Sequence, residues 1–259
     1  MPLPPSACQV CGSRPSASLS TCSRCRAVQY CSREHQKEHF KAHKAVCKSI
    51  QQNRQLMAEE AEKIRNWGDD DFAMPANAFE THAGHFWGLF DTRPYMRAKM
   101  GVLTELSTIN SRLAIEAALA EAIDCHRLCR SDNMGVRDVT PTLMLLLGKL
   151  QEAYDFIKWY ETSGNSSTYD WGNMELPYLD IHGADMTEEL PRNDRRYGDV
   201  FNAGSLTYIK MVLLRDVQDA INAHVLADRA ALPAVVTESL GGFLAPNLQA
   251  QSSRASRRS

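Results

Sequence analysis

Eight cysteines occur in this chain of 259 residues, and six of them fall within its first 50. Cys8, Cys11, Cys22, Cys25, Cys31 and Cys47 are interleaved there with His35, His39 and His43, whereas Cys125 and Cys129 stand apart. A segment this short makes a poor core by itself, so its cysteines are expected to cross-link it, through disulfides or through a metal. The start, MPLPPSACQV, lacks the basic region and apolar stretch of a secretory leader. A reducing, intracellular setting and metal binding are therefore the expectation.

The spacing sharpens that expectation. Cys8-Gln-Val-Cys11 and Cys22-Ser-Arg-Cys25 are two C-x2-C turns, which bring two thiolates to one ion with backbone N–H groups nearby. Cys31 and His35 are four apart, as are His43 and Cys47. The intervening residues are helix formers, and Ser32 suits an N-cap. On a helix, positions i and i+4 share a face, so each pair can grip one ion. At a rise of about 1.5 Å per residue, residues 31 and 43 lie about 18 Å apart, too far for one zinc whose ligand bonds are about 2.0–2.3 Å. Four half-sites thus imply two zincs. Sequential pairing would give one all-cysteine site; interleaved pairing would give two sites of three cysteines and one histidine. His39 is off the ligand spacing and reads as a surface helix residue.

The order C-x2-C-x10-C-x2-C-x5-C-x3-H-x7-H-x3-C over residues 8–47 resembles the MYND-type zinc finger, with Tyr30 and Gln36 matching its usual surroundings. The resemblance implies the interleaved pairing: Cys8, Cys11, Cys31 and His35 at one zinc, and Cys22, Cys25, His43 and Cys47 at the other. It also implies a protein-interaction module that captures short proline-containing peptides of the P-x-L-x-P kind. Gln36 would hydrogen-bond the peptide backbone. Phe40, where the family usually has tryptophan, would either offer an apolar face or pack inside the finger. With every ligand supplied by protein, neither zinc keeps the open position that catalysis needs.

Charge is divided unevenly. Residues 1–50 carry 8 basic and 2 acidic side chains, net +6, and the remainder carries 21 and 29, net −8. Six thiolates around two zincs lower the finger to about +4. Lys37, Lys41, Lys44 and Lys48 form one helix face, which reads as solvated. The spacing of a DNA-reading finger is absent, so specific nucleic-acid binding is not expected, and a nucleic-acid-associated or transcription-related regulator is the alternative.

The whole chain is 44% hydrophobic and 23% charged, without an apolar run of the roughly 18 residues that would span a membrane. Helical spacing recurs. Residues 48–66 place Ile50, Leu56, Met57, Ala61 and Ile64 on a helix that continues or follows the finger's; Gly68 to Asn77 breaks it. Residues 94–130 read as two helices joined at Asn110-Ser111, the second carrying Ile115, Leu119, Ala122, Ile123, His126 and Cys129 on its apolar face. The apolar run 143–147 has helical flanks, and Gly148 separates it from a helix over 152–160. Leu147 to Tyr154 is similar to the corner of a tetratricopeptide repeat, in which the small Gly148 and Ala153 allow close helix packing. Residues 164–198 read as a long loop held through Trp171 and Tyr178. Residues 199–227 form a helix with Ile209, Val212, Leu213, Val217, Ala220, Ile221 and His224 on one stripe. DTRPYMRAK, CRSDNMGVRD and LGKLQEAYDFIKWY look like stretches of fungal MYND-finger proteins with a helical C-terminal region, a likeness that implies no activity.

The expected organisation is a small two-zinc finger (1–50), a helical linker (51–78), an all-α, helical-repeat-like domain (79–250) and a basic disordered tail (251–259). The expected function is protein–protein interaction, by peptide capture on the finger or docking on the helices. Enzymatic patterns are missing. The chain lacks the Asn-His-Ser-Cys segment of SET-domain methyltransferases, a G-x-S-x-G elbow, a phosphate-binding loop and H-E-x-x-H. His82 and His85 could meet Cys125, His126 and Cys129 at a third metal only if those segments converge; otherwise the cysteines are buried small residues and His126 lies at a core edge.

Overall fold

The structure is a computed structural model and describes residues 2–14, 19–67, 75–189 and 200–230. By their contacts, Met1–Ile209 form one compact unit and Lys210–Ser259 a second. Among the described residues, strands occur only in the finger: β1 (Ser20–Thr21) and β2 (Gln29–Tyr30) pair antiparallel, with Ser20 opposite Tyr30. Seven helices make up the rest: α1 (Arg33–Arg65), α2 (Ala78–Thr81), α3 (Arg93–Ser107), α4 (Arg112–Leu128), α5 (Val136–Leu146), α6 (Leu150–Glu161) and α7 (Val200–Ala230).

The first helix spans both halves of the sequence pattern. Ser32 caps it, its hydroxyl accepting from the His35 amide at 3.3 Å, and Glu34 at the start and Lys63 and Arg65 at the end complement the helix dipole. No glycine or proline interrupts its 33 residues, so the finger helix and the helix expected over 48–66 are one rod of about 50 Å. Its first half carries zinc ligands. Its second half buries Ile50, Ala61 and Ile64. Leu56, assigned above to the apolar face, points to solvent: the residues three and four away on either side, Gln52, Asn53, Glu59 and Glu60, are all polar, so it has no apolar neighbour on its face of the rod.

Four helix pairs make the stack: α1 with α3, α3 with α4, α4 with α5 and α5 with α6. This neighbour-to-neighbour order is the helical-repeat-like arrangement expected. Ala61, Ile64, Ala78, Phe86, Tyr95, Met96, Leu128 and Cys129 form one buried cluster. Lys99 is buried on α3 but answers Asp124 at 2.8 Å and also pairs with Glu121, so its charge is compensated. Ile123 lies on the outer side of α4 and is exposed, unlike Ile115, Leu119 and Ala122.

Two loops show how polar groups hold this stack. Asp132 adopts a left-handed conformation, and its carboxylate accepts from the amides of Val136 and Arg137 at 2.8 and 2.9 Å, capping α5. At the next corner Gly148 has φ +80°. Its N–H reaches Leu145 O, and the Lys149 N–H reaches Met144 O, the paired bonds that end a helix around a left-handed residue. Gly148 is therefore needed for its backbone conformation, not for close helix packing as the repeat likeness suggested. What lies nearest a side chain there is Pro2, at 3.5 Å. Ala153, by contrast, is fully buried on α6. The segment ahead of the finger is pinned at this corner, with the Leu3 N–H donating to Leu146 O at 2.7 Å.

The loop after α6 is held as expected. Trp159 stands edge-on to Tyr169, Trp171 and Tyr178 at 4.9–5.9 Å, and its indole donates to Asp180 at 3.0 Å. Asp155 accepts from the amides of Gly183 and Ala184. On α7, Ile209 is buried, but Val217, Ala220 and Ile221 of the expected stripe are exposed. Periodicity marks a face that could be covered; it does not supply the covering element. The His224 side chain, residues 68–74 and the basic tail lie outside the described residues.

Candidate metal centre

Each C-x2-C pair sits on a tight knuckle. In the first, the Gly12 N–H returns to Cys8 O at 2.9 Å, with Gly12 at φ +67°. In the second, the Arg26 N–H returns to Cys22 O at 3.0 Å, with Arg26 at φ 56°, a conformation that costs a non-glycine residue about 1 kcal/mol. The two knuckles thus share one turn, with a left-handed residue after the second cysteine. The hairpin brings them to the helix: Cys8 bridges Gln29 of β2, and Cys31 follows β2 directly, just ahead of the Ser32 cap. His35, His43 and Cys47 lie on α1.

The eight donors gather in two separate sets. Cys8, Cys11, Cys31 and His35 form one; Cys22, Cys25, His43 and Cys47 form the other, with the donor atoms of each within 4.8 Å of one another. The pairing is interleaved, first pair with third and second with fourth. Its edges fit a tetrahedral zinc. Bonds of about 2.3 Å to sulfur and 2.0–2.1 Å to nitrogen require S···S edges of about 3.75 Å and S···N edges of about 3.5 Å. The structure has Cys11–Cys31 at 3.7 Å and Cys22–Cys47 at 3.8 Å. It has Cys8–His35 Nδ1 at 3.5 Å, Cys31–His35 Nδ1 at 3.1 Å and Cys25–His43 Nε2 at 3.3 Å. The first set would use Nδ1 of its histidine and the second Nε2. Two zinc ions, each with three sulfurs and one nitrogen, account for both sets.

The sets differ in exposure. Cys11 and Cys31 reach the surface, whereas all four residues of the second set are buried. Burial opposes ionisation of Cys8, but amide donors at Cys11, Cys31 and Val10 outweigh it and bring the thiol down to about 6. Burial pushes the Cys25 thiol up to about 12, with the sulfurs of Cys22 and Cys47 adding to it. A dication among those three sulfurs reverses the balance and holds them as thiolates.

Three residues around the second set were not singled out by spacing. His39, expected at the surface, is half-buried; its ring stacks on His43 at 5.4 Å and 20°, and its Nδ1 meets the hydroxyl of buried Tyr30 at 3.0 Å. It is not a ligand but a support for one. The signal was present, since His39 lies one helical turn before His43. Arg54 donates to Cys25 O at 2.6 Å and ties the second knuckle to α1 from a distance of 29 residues, which no local pattern reveals.

Gln36 and Phe40 lie one turn apart on α1, and both are exposed. Phe40 is 54% exposed, with the Lys44 ammonium 6.0 Å from its ring centre, so it offers its face outward and does not pack inside the finger. Lys37, Lys41, Lys44 and Lys48 are all solvent-facing.

The segments around His85 and Cys129 do meet, through a bridge flanked by Gly84 N–H to Leu128 O and Arg130 N–H to Gly84 O, both 3.0 Å. Their side chains do not converge. Cys129 Sγ turns to Asn133, and buried His126 bonds Thr140 at 2.9 Å and Tyr160 at 3.4 Å. Among the described residues, only the two finger sets gather as metal ligands.

Compared with protein families, residues 8–47 match the model of the MYND finger. Comparison with curated proteins and with solved structures gives no match. The N-terminal module is thus a MYND zinc finger, a type of domain that commonly mediates protein–protein interaction. No helix among the described residues is long and apolar enough to cross a membrane.

Proposed function

We propose that this protein is an intracellular adaptor whose finger captures a short, proline-containing peptide from a partner protein. The observation that carries this reading is the outward face formed by Gln36 and Phe40, one turn apart and immediately after the ligand His35. An exposed aromatic ring beside an amide suits an extended segment, with apolar side chains on the ring and the peptide backbone on the amide. Strand β1 is exposed and has β2 as its one strand partner among the described residues, which leaves an edge for an incoming backbone. Both metal sites are closed by four protein donors, which favours structural zinc and a binding role over catalysis. The exposed lysines support nucleic-acid association as a second, weaker reading.

The test is titration of the full-length, zinc-loaded protein with a labelled P-x-L-x-P peptide. Saturation that Phe40→Ala and Gln36→Ala each weaken supports the proposal. A flat response at millimolar peptide rejects it.

A further inference from the structure

A second surface lies in the helical body, away from the zinc ligands. The 3₁₀ turns Phe86–Gly88 and Phe90–Thr92 lead into α3 and bring rings and cations together, with Phe90 and Arg97 exposed and Trp87 and Arg93 half-buried. The Arg93 guanidinium lies 4.1 Å from the Phe90 ring centre and 5.2 Å from that of Trp87; Arg97 lies 5.6 Å from the Trp87 ring. Phe90 is 73% exposed, the most open large apolar side chain among the described residues. Core packing explains Phe86, which is fully buried, but not Phe90.

Among the described residues the charges in this patch are unpaired. Neither Arg93 nor Arg97 makes an ion pair among the described residues, although Arg112, Arg127 and Arg137 all do. Arg93 Nε donates to Trp87 O at 3.0 Å, which fixes the side chain while its terminal nitrogens remain for a partner. The first turn of α3 carries no acidic side chain, so the positive end of the helix adds to the same field. This occurs in a body whose sequence is net −8.

We propose that Trp87, Phe90, Arg93 and Arg97 form a docking surface for an acidic segment of a partner protein. Carboxylates of the segment engage the two guanidiniums, and a neighbouring apolar side chain lies on Phe90. A guanidinium held over a ring still has N–H groups for a carboxylate, and its restricted side chain needs little further ordering on binding. Nucleic acid fits less well. It requires a track of phosphate contacts, whereas this patch has two cations with exposed Asp91 just ahead of them in sequence. The surface is separate from the finger, and the proposal holds whether or not the finger binds peptide.

The experiment uses full-length, zinc-loaded protein and a fluorescein-labelled peptide of alternating glutamate and leucine. The same peptide with glutamine for glutamate is the control, and oligothymidylate is the competitor. The acidic peptide should saturate and the glutamine peptide should not. Arg97→Glu and Phe90→Ser should each weaken binding about tenfold while leaving the helical circular dichroism unchanged, since both side chains are at the surface. Phe40→Ala should have no effect, which separates this surface from that of the finger. Absence of saturation at millimolar peptide overturns the proposal. So does binding that both patch variants leave intact, or oligothymidylate that binds as tightly as the peptide and is lost in the same variants.

Discussion

Replacing His39 by alanine should loosen one zinc site and spare the other. His39 contributes a ring stacked on the ligand His43 and a nitrogen 3.0 Å from the Tyr30 hydroxyl. Tyr30 is 1% exposed, so removing its partner leaves a buried hydroxyl unsatisfied, at a cost of about 1–3 kcal/mol. Loss of an outer partner of a ligating histidine typically weakens metal binding about 10–100-fold, or about 1.4–2.8 kcal/mol. The two estimates agree. The second site, Cys22, Cys25, His43 and Cys47, should therefore weaken by 1–2 orders of magnitude. Among the described residues no hydrogen bond or ring contact joins His39 to the first site, which should be unchanged. Tyr30→Phe should do less, because half-buried His39 can turn its nitrogen to water. His39→Phe keeps a ring but no acceptor and should fall between. Cobalt spectra with competition against a chromophoric chelator resolve the two sites. Equal weakening of both sites, no weakening of either, or a Tyr30→Phe effect as large as that of His39→Ala would refute the reasoning.

Chelation should strip the zincs in order. The first set exposes Cys11 and Cys31 whereas the second is wholly buried, so the first zinc should leave faster, followed by a slower phase. Amide exchange should then show residues 8–47 losing protection while α3 to α6 keep theirs, because the core around Met96, Leu106 and Trp159 contains no ligand. Simultaneous release, or finger amides that stay protected without metal, would contradict this. A pH effect follows from His126. Burial holds its pKa down to about 4, so the folded state excludes a proton that the unfolded chain takes up near 6.5. Stability from this group is complete above pH 6.5 and is lost as pH falls toward 4, by about 3 kcal/mol. His126→Gln should flatten the denaturation-midpoint profile in that window relative to the unaltered protein; parallel profiles would sink the assignment.

The finger was legible because ligand chemistry is written locally. C-x2-C fixes two sulfurs on one turn, and i, i+4 fixes two donors on one helix face, so all eight ligands could be named before any fold was known. Helices were legible for a similar reason: Pro94, the Asn110-Ser111 turn and the apolar spacing of Ile115, Leu119 and Ala122 are properties of neighbouring residues. Where the reading failed, a distant partner decided. Ile123 follows the apolar spacing of α4 yet faces solvent, and Val217 and Ile221 continue a stripe that remains exposed. Gly148 proved to be a requirement of the turn, because its left-handed backbone is set by two hydrogen bonds that the repeat likeness did not specify.

By itself, then, the sequence determined the metal: its donor types, their number and the need for two ions, all of which follow from short-range geometry. Only the tertiary structure decided what surrounds those ions. Arg54 reaches back to Cys25, Tyr30 and His39 brace His43, and Arg93 and Arg97 lie on rings without a carboxylate partner among the described residues. Such contacts join residues separated along the chain, or leave a residue without one. They depend on where whole helices pack, which no local spacing encodes.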